Sequence, residues 1–162
     1  MNILYILCGI PGSGKSTWAR KQIENYGMDK VAWISRDQIR FNLVKPNEEY
    51  FSRENEVVDI FVNEIQKAIN NRTPFVLADA THLNRKSRTQ LLNQLVLNET
   101  SVLYVYFDVP LSIALERNAK RQGRERVPDS VIEKMYYSFS RPAANTIIID
   151  ENGNEKIKEE TT

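Results

Sequence analysis

The stretch Gly9-Ile10-Pro11-Gly12-Ser13-Gly14-Lys15-Ser16-Thr17 decides the reading of this chain. It fits the pattern G-x-x-x-x-G-K-[S/T], a loop whose backbone cradles phosphate groups. The flanks supply the required context. Ile3-Leu4-Tyr5-Ile6-Leu7-Cys8 is a continuous apolar run of the kind that forms a buried parallel strand. Trp18-Ala19-Arg20-Lys21-Gln22-Ile23 continues as a helix. The glycines admit backbone turns that a Cβ would obstruct, so successive N–H groups converge on an anion at a helix N-terminus. Lys15 brings a compact positive charge to the β- and γ-phosphates. Ser16 offers its hydroxyl to Mg²⁺, and Thr17 is placed to reach another phosphate oxygen. The motif implies a bound nucleoside triphosphate and leaves open what is done with it.

The bulk composition narrows the classes. A length of 162 residues suits one domain, and 41% hydrophobic with 27% charged residues is ordinary for a globule. The net charge of +1 argues neither for nor against nucleic acid, so anion binding has to come from local patches. Cys8 is the only cysteine, which excludes an internal disulfide. On the first strand it reads as a small buried hydrophobe. No apolar run reaches membrane-spanning length and no leader pattern precedes the first strand, so a cytoplasmic protein without a membrane partner is expected.

Outward from the loop, apolar runs alternate with helical patterns. Strands are expected at 2–8, 31–35, 75–79, 102–107 and 147–149. Helices are expected from the loop to Tyr26, from Arg36, from Glu54 with Val57, Phe61, Ile65 and Ile69 on one face, and after Asn84 as cap. Two more are expected from Leu111 and from Pro128, the latter with Val131, Met135 and Phe139 on one face. The fold class is α/β: a five-stranded parallel sheet with helices on both faces, over residues 1–150, followed by a polar tail at 151–162 that is expected to fray. Ligands of such a sheet gather at the C-terminal strand ends.

Two further stretches lie at those ends, and a basic segment follows the helix from Leu111. In Arg36-Asp37-Gln38-Ile39-Arg40, Asp37 and Arg40 are three residues apart and share a helical face. Phosphoryl transfer to a hydroxyl needs a carboxylate near the attacking oxygen and a cation on the acceptor, which this face would supply. An exposed ion pair reads equally well. Asp79, at the end of the third strand, suits either a place beside Mg²⁺ or a turn. His82, the only histidine, reads as a loop residue. Arg117, Lys120, Arg121, Arg124 and Arg126 put five cations in ten residues around Gly123. Beside a phosphate loop they read as a mobile basic lid over the phosphates, and otherwise as a solvated helix end.

Taken together, Gly9–Arg20, Arg36-Asp37-Gln38-Ile39-Arg40, Asp79-Ala80-Thr81-His82-Leu83-Asn84, Phe107–Pro110 and Arg117-Asn118-Ala119-Lys120-Arg121 with Val127-Pro128 resemble the polynucleotide 5′-hydroxyl kinase family of phages over residues 1–141. The resemblance implies a P-loop kinase fold and an enzyme that moves the γ-phosphoryl of ATP to the 5′-OH of DNA or RNA. It implies Asp37 as general base, Arg40 on the acceptor's 3′-side phosphate, and Thr81 in the acceptor site. Gly12, Ser13, Gly14, Lys15, Ser16 and Thr17 would bind ATP and Mg²⁺, with Asp79 as a further metal-side acid. Arg121 would act as the catalytic lid arginine, and Arg117 would contact the nucleotide. It also implies action in a host cytoplasm and a role in nucleic-acid repair.

The chain departs from the family in two places. Asp150-Glu151-Asn152-Gly153-Asn154 lacks the D-x-D-x-T phosphatase pattern, so no phosphatase domain is expected. His82 stands where asparagine is often found. A small-molecule kinase of the same fold and a regulatory NTPase remain alternatives. Arg40 favours a phosphate-bearing acceptor over a plain nucleoside, and the absence of an N-K-x-D motif counts against a GTPase.

Overall fold

The computed structural model describes residues 1–156. In chain order the elements are β1 (Ile3–Cys8), α1 (Lys15–Tyr26), β2 (Val31–Ser35), α2 (Arg36–Leu43), α3 (Glu54–Asn70), β3 (Phe75–Asp79) and α4 (Arg85–Asn93). They continue with β4 (Ser101–Phe107), α5 (Leu111–Ala119), a single 3-10 turn at Gly123–Glu125, α6 (Asp129–Ser138), β5 (Thr146–Ile149) and β6 (Glu155–Lys156). The sheet order is β2-β3-β1-β4-β5-β6, with β1 to β5 parallel.

The period of two along β1 divides the core. Leu4, Ile6 and Cys8 face Phe61, Ile65, Ile69 and Leu91 of α3 and α4. Tyr5 packs on the other side with Trp18, Ala19 and Ile23 of α1, and Leu7 joins Val105, Phe107 and Trp18 there. Both faces of the sheet are therefore covered, which is why its strands read as unbroken apolar runs rather than alternating ones. A satellite cluster of Ile10, Ala114 and Ile132 joins α5 and α6 to the phosphate loop.

The chain leaves central β1, travels to β2 and β3 on one side, and crosses to β4 and β5 on the other. This reversal opens a crevice beyond the strand ends beside β1. The register brings Leu7, Ser35 and Asp79 level, so the loops after β1, β2 and β3 emerge side by side.

Two expectations need correction. The sheet has a sixth strand, antiparallel to β5, inside the expected frayed tail. Asp150 Oδ1 accepts the N–H groups of Asn152 and Asn154, both at 2.9 Å, and Gly153 takes φ 79°. This is the Asx chemistry of a tight reversal, and Asn152-Gly153 is a hairpin signal that the polar composition concealed. The remainder of the tail, 157–162, lies outside the described residues. On α6 the buried residue is Ile132, with Met135 and Phe139 packed beside it, whereas Val131 is exposed. The apolar stripe is rotated by one position because α6 docks on α5 and Ile10 rather than on the sheet.

Candidate active site: a phosphate loop facing a charged acceptor helix

The phosphate loop joins β1 to α1 with Gly12 at φ 81° and Gly14 at φ 99°, conformations that side chains rarely adopt. At Gly12 a Cβ would also lie 2.6 Å from the carbonyl oxygen of Ala114, so no other residue fits there. Gly14 caps α1 with no side-chain bond, and the first turn carries no acid. The leading N–H groups and the positive end of the helix dipole are left for an outside anion. Ser13 Oγ is buried with no hydrogen-bond partner among the described residues. An orphaned hydroxyl beside a bare helix N-terminus suits a polyphosphate, so the residues fit a nucleotide.

Lys15 Nζ donates to the carbonyls of Gly9 (2.7 Å) and Ile10 (3.1 Å). Burial lowers its pKa, while Asp79 and Asp37 oppose that shift and Arg121 adds to it. Asp37, Asp79 and Arg121 thus lie within electrostatic reach of Lys15. Ser16 is half-buried and Thr17 exposed on the first turn of α1. Asp79 is buried, and desolvation raises its pKa against the pull of Lys15. Its Oδ2 accepts the indole N–H of Trp33 at 2.8 Å, which fixes the carboxylate plane. Among the described residues no group of three or more His, Cys, Asp or Glu could hold a metal. A divalent ion would therefore rest on Ser16, Asp79 and the nucleotide's own phosphates.

Helix α2 begins where β2 ends, with Ser35 Oγ accepting the N–H of Gln38 at 3.2 Å. The sequence left Asp37 and Arg40 open between a catalytic face and an exposed ion pair. Arg40 is buried, and its guanidinium is held at three N–H groups. Nη1 donates to Asp37 Oδ1 at 2.6 Å, Nε to Glu54 Oε1 at 2.5 Å, and Nη2 to Glu54 Oε2 at 2.9 Å. This fork geometry fixes the guanidinium plane, and two of its five N–H groups are not engaged by these carboxylates. The Asp37 side chain is 81% exposed, so the pair is a buried cation presenting an open carboxylate. On the same helix, Arg36 Nε is buried with no hydrogen-bond partner among the described residues.

Thr81 is half-buried after β3, and its carbonyl accepts the Gly9 N–H at 3.1 Å, tying that loop to the phosphate loop. His82 is buried, its Nδ1 lies 2.5 Å from the Leu7 carbonyl, and its own carbonyl accepts Arg88 Nη1 at 2.9 Å. Burial drives its pKa down to about 4, which keeps the ring neutral and structural. Burial likewise pushes the Cys8 thiol up to about 12, as suits a packing residue.

The basic segment folds back over the crevice. Arg117 Nη1 donates to Gly12 O at 3.3 Å and Nη2 to Glu151 O at 2.5 Å. Arg124 Nη2 reaches the carbonyls of Val44 (3.0 Å) and Lys45 (3.1 Å) in the α2–α3 loop. Buried Asn118 closes the base of the segment by pairing with both backbone groups of Val127, at 2.6 and 3.0 Å. Sequence reasoning missed Glu54, Trp33, Asn118 and Glu151 as supports. Asn118 stands in a stretch that carries the family resemblance, but none of the four supporting roles has a local signature, because each acts across 9 to 46 residues of chain. Only the acid at the start of α3 was visible, and it reads there as an ordinary helix N-terminal acid.

A doubly wound sheet, a phosphate loop after its central strand and a basic segment folded over that loop define a P-loop kinase. The family described as "AAA domain" matches residues 4–142, and the chain belongs to that family. L-seryl-tRNA(Sec) kinase of Methanococcus maripaludis is 30% identical over 145 residues, covering 86% of this chain and 53% of that protein. A protein of Autographa californica nuclear polyhedrosis virus, named "Putative bifunctional polynucleotide kinase/RNA ligase", is 30% identical over 149 residues, covering 84% of this chain and 20% of that protein. The chain thus spans about half the length of the first relative and a fifth of the second. A chain in the Pnkp1/Rnl/Hen1 RNA repair complex superposes with TM-score 0.67 at 29% identity, over 85% of this chain and 43% of that one. The family implies use of ATP and, ordinarily, Mg²⁺. Among the described residues no helix is long and apolar enough to cross a membrane.

Proposed function

We propose that this chain is a polynucleotide 5′-hydroxyl kinase that transfers the γ-phosphoryl group of ATP to the 5′-OH end of DNA or RNA. The observation that carries the reading is Arg40. A buried guanidinium locked in plane beside an exposed carboxylate is built to hold a phosphate next to a reacting hydroxyl. The viral relative and the RNA-repair neighbour support it by their named context.

In this reading the 5′-oxygen attacks the γ-phosphorus, the bond from that phosphorus to the ADP oxygen breaks, and the hydroxyl proton passes to the Asp37 carboxylate. Gly12, Ser13, Gly14, Lys15, Ser16 and Thr17 hold the donor phosphates, and Arg117 contacts the nucleotide. Lys15 and Arg121 spread the charge that develops on the transferring group. Arg40 fixes the acceptor's 3′-side phosphate, with Thr81 nearby. Ser16 and Asp79 would hold Mg²⁺, which when bound would supply charge neutralisation for the phosphates.

The test is γ-phosphate transfer to three acceptors: a 5′-OH oligonucleotide, a nucleoside 3′-monophosphate and a plain nucleoside. Transfer to the first two and little to the third is expected. Transfer to the nucleoside alone would refute the reading. The tRNA kinase relative favours one second reading, a seryl hydroxyl on aminoacylated tRNA as acceptor. Transfer to seryl-tRNA with none to 5′-OH ends would establish that instead.

A further inference from the structure

The loop between α2 and α3 carries aromatic side chains that the core does not use. Phe51 is 56% exposed and Tyr50 half-buried there, and Phe41, 44% exposed, stands on the last turn of α2. Tyr50 and Phe51 meet edge to face, with centroids 5.2 Å apart. Two guanidinium groups interleave with the rings. Arg40 Cζ lies 5.0 Å from the Phe51 centroid and 5.6 Å from that of Tyr50, and Arg124 Cζ lies 4.8 Å from Tyr50 and 5.8 Å from Phe41. The loop is held rather than loose. Arg53 Nη1 donates to Leu43 O at 3.1 Å across its base, turns close at Glu48 and Ser52, and Arg124 binds its outer carbonyls.

We propose that Phe51, with Tyr50 packed against it, is a stacking face for the base that follows the reacting nucleotide in a single-stranded acceptor. The inference rests on the polynucleotide reading above and deepens it. A phosphate held by Arg40 places the next nucleotide beside the ring that already stacks on the Arg40 guanidinium. Rigid aromatic surface alternating with arginine is the chemistry that binds unpaired bases without reading their identity. A base inside a duplex has no free face to offer, so the device selects single-stranded or overhanging ends. Glu48 does not oppose it, because its carboxylate is turned back onto the Lys45 N–H at 3.2 Å.

The experiment measures kcat/KM for a 5′-OH pentanucleotide and for the same strand with an abasic second residue. For the wild-type chain the intact strand is expected to be better by about tenfold, within the range that loss of one base–aromatic stack produces. Phe51→Ala should bring the ratio close to one, and Phe51→Trp should keep it. Phe51→Leu, apolar but without a planar face, should behave as the alanine variant does. Quenching of the tryptophan in Phe51→Trp by the 5′-phosphorylated pentanucleotide, and not by its abasic form, gives a readout independent of turnover.

A wild-type ratio near one, or a ratio unchanged in Phe51→Ala, overturns the stacking face while transfer to the pentanucleotide leaves the kinase reading intact. An aromatic face used only to dock a protein gives that outcome. No transfer to any 5′-OH strand by the wild-type chain removes both proposals together. Because Phe51 is largely solvent-exposed, its truncation should leave the thermal midpoint unchanged.

Discussion

The two halves of the crevice are built in opposite ways. The donor half is continuous: Gly9 to Thr17 supplies turn, helix N-terminus, lysine and hydroxyls within one stretch, and its geometry follows from glycines in conformations that only glycine accepts readily. The half that we propose takes the acceptor is assembled from distant parts. Arg40 on α2 is held by Glu54 on α3, is stacked by Tyr50 and Phe51 in the loop between them, and is linked through Tyr50 to Arg124 of the lid. A contiguous nest suits a donor phosphate chain that many enzymes share. An assembled pocket can be re-made by substitutions in several elements at once, which suits the half that chooses the acceptor.

The sharpest way to separate the halves is Asp37→Ala. It should lower kcat on a 5′-OH oligonucleotide by about 10²–10⁴-fold while equilibrium ATP binding stays near wild type. Near-normal turnover would remove Asp37 from the proton transfer. Glu54→Ala probes the assembly itself. It frees two N–H groups of a buried guanidinium, and a loss of about tenfold in acceptor kcat/KM is expected with the KM for ATP unchanged. An effect on ATP instead would show that the halves are not separable.

Asn118→Ala loosens the joint between them. Val127 loses both partners at the base of the lid, so faster amide exchange over 119–127 and a several-fold higher KM for ATP should follow. At His82 the effect should fall on stability alone and leave turnover untouched. Its folded pKa of about 4 lies below the ordinary 6.5, so the unfolded chain takes up a proton first as pH falls. The stabilisation is complete above about pH 6.5 and is lost on acidification towards pH 4, by about 3 kcal/mol at most. His82→Asn, at a position with φ 44° that asparagine tolerates, should flatten the difference between urea midpoints at neutral and acid pH, with kcat unaffected.

Much of the fold was legible because its signals are local. The bounds of β3 and the start of α3 coincide with the expected ones, as do the capping role of Asn84 and the parallel run of five strands. Each rests on burial on both sheet faces, on helical spacing, or on a side-chain cap three residues away. The Asp150 turn was equally local, yet polar composition outweighed the Asn-Gly signal, and β6 went unseen. The rotated face of α6 has a different cause, since its partner is another helix whose position no periodicity encodes.

By itself the sequence determined the class of this protein, the donor loop and the residue types on offer at three strand ends. Those properties are written in backbone preference and in side chains within one helical turn of each other. Only the tertiary structure decided that Arg40 is a buried, planar, doubly held cation rather than half of a surface ion pair. It likewise decided that Asp79 is oriented by Trp33, that the lid is shut at its base by Asn118, and that exposed rings surround the acceptor arginine. The reason is physical: desolvation and hydrogen-bond geometry depend on what packs around a group, and here the partners lie up to 105 residues away along the chain.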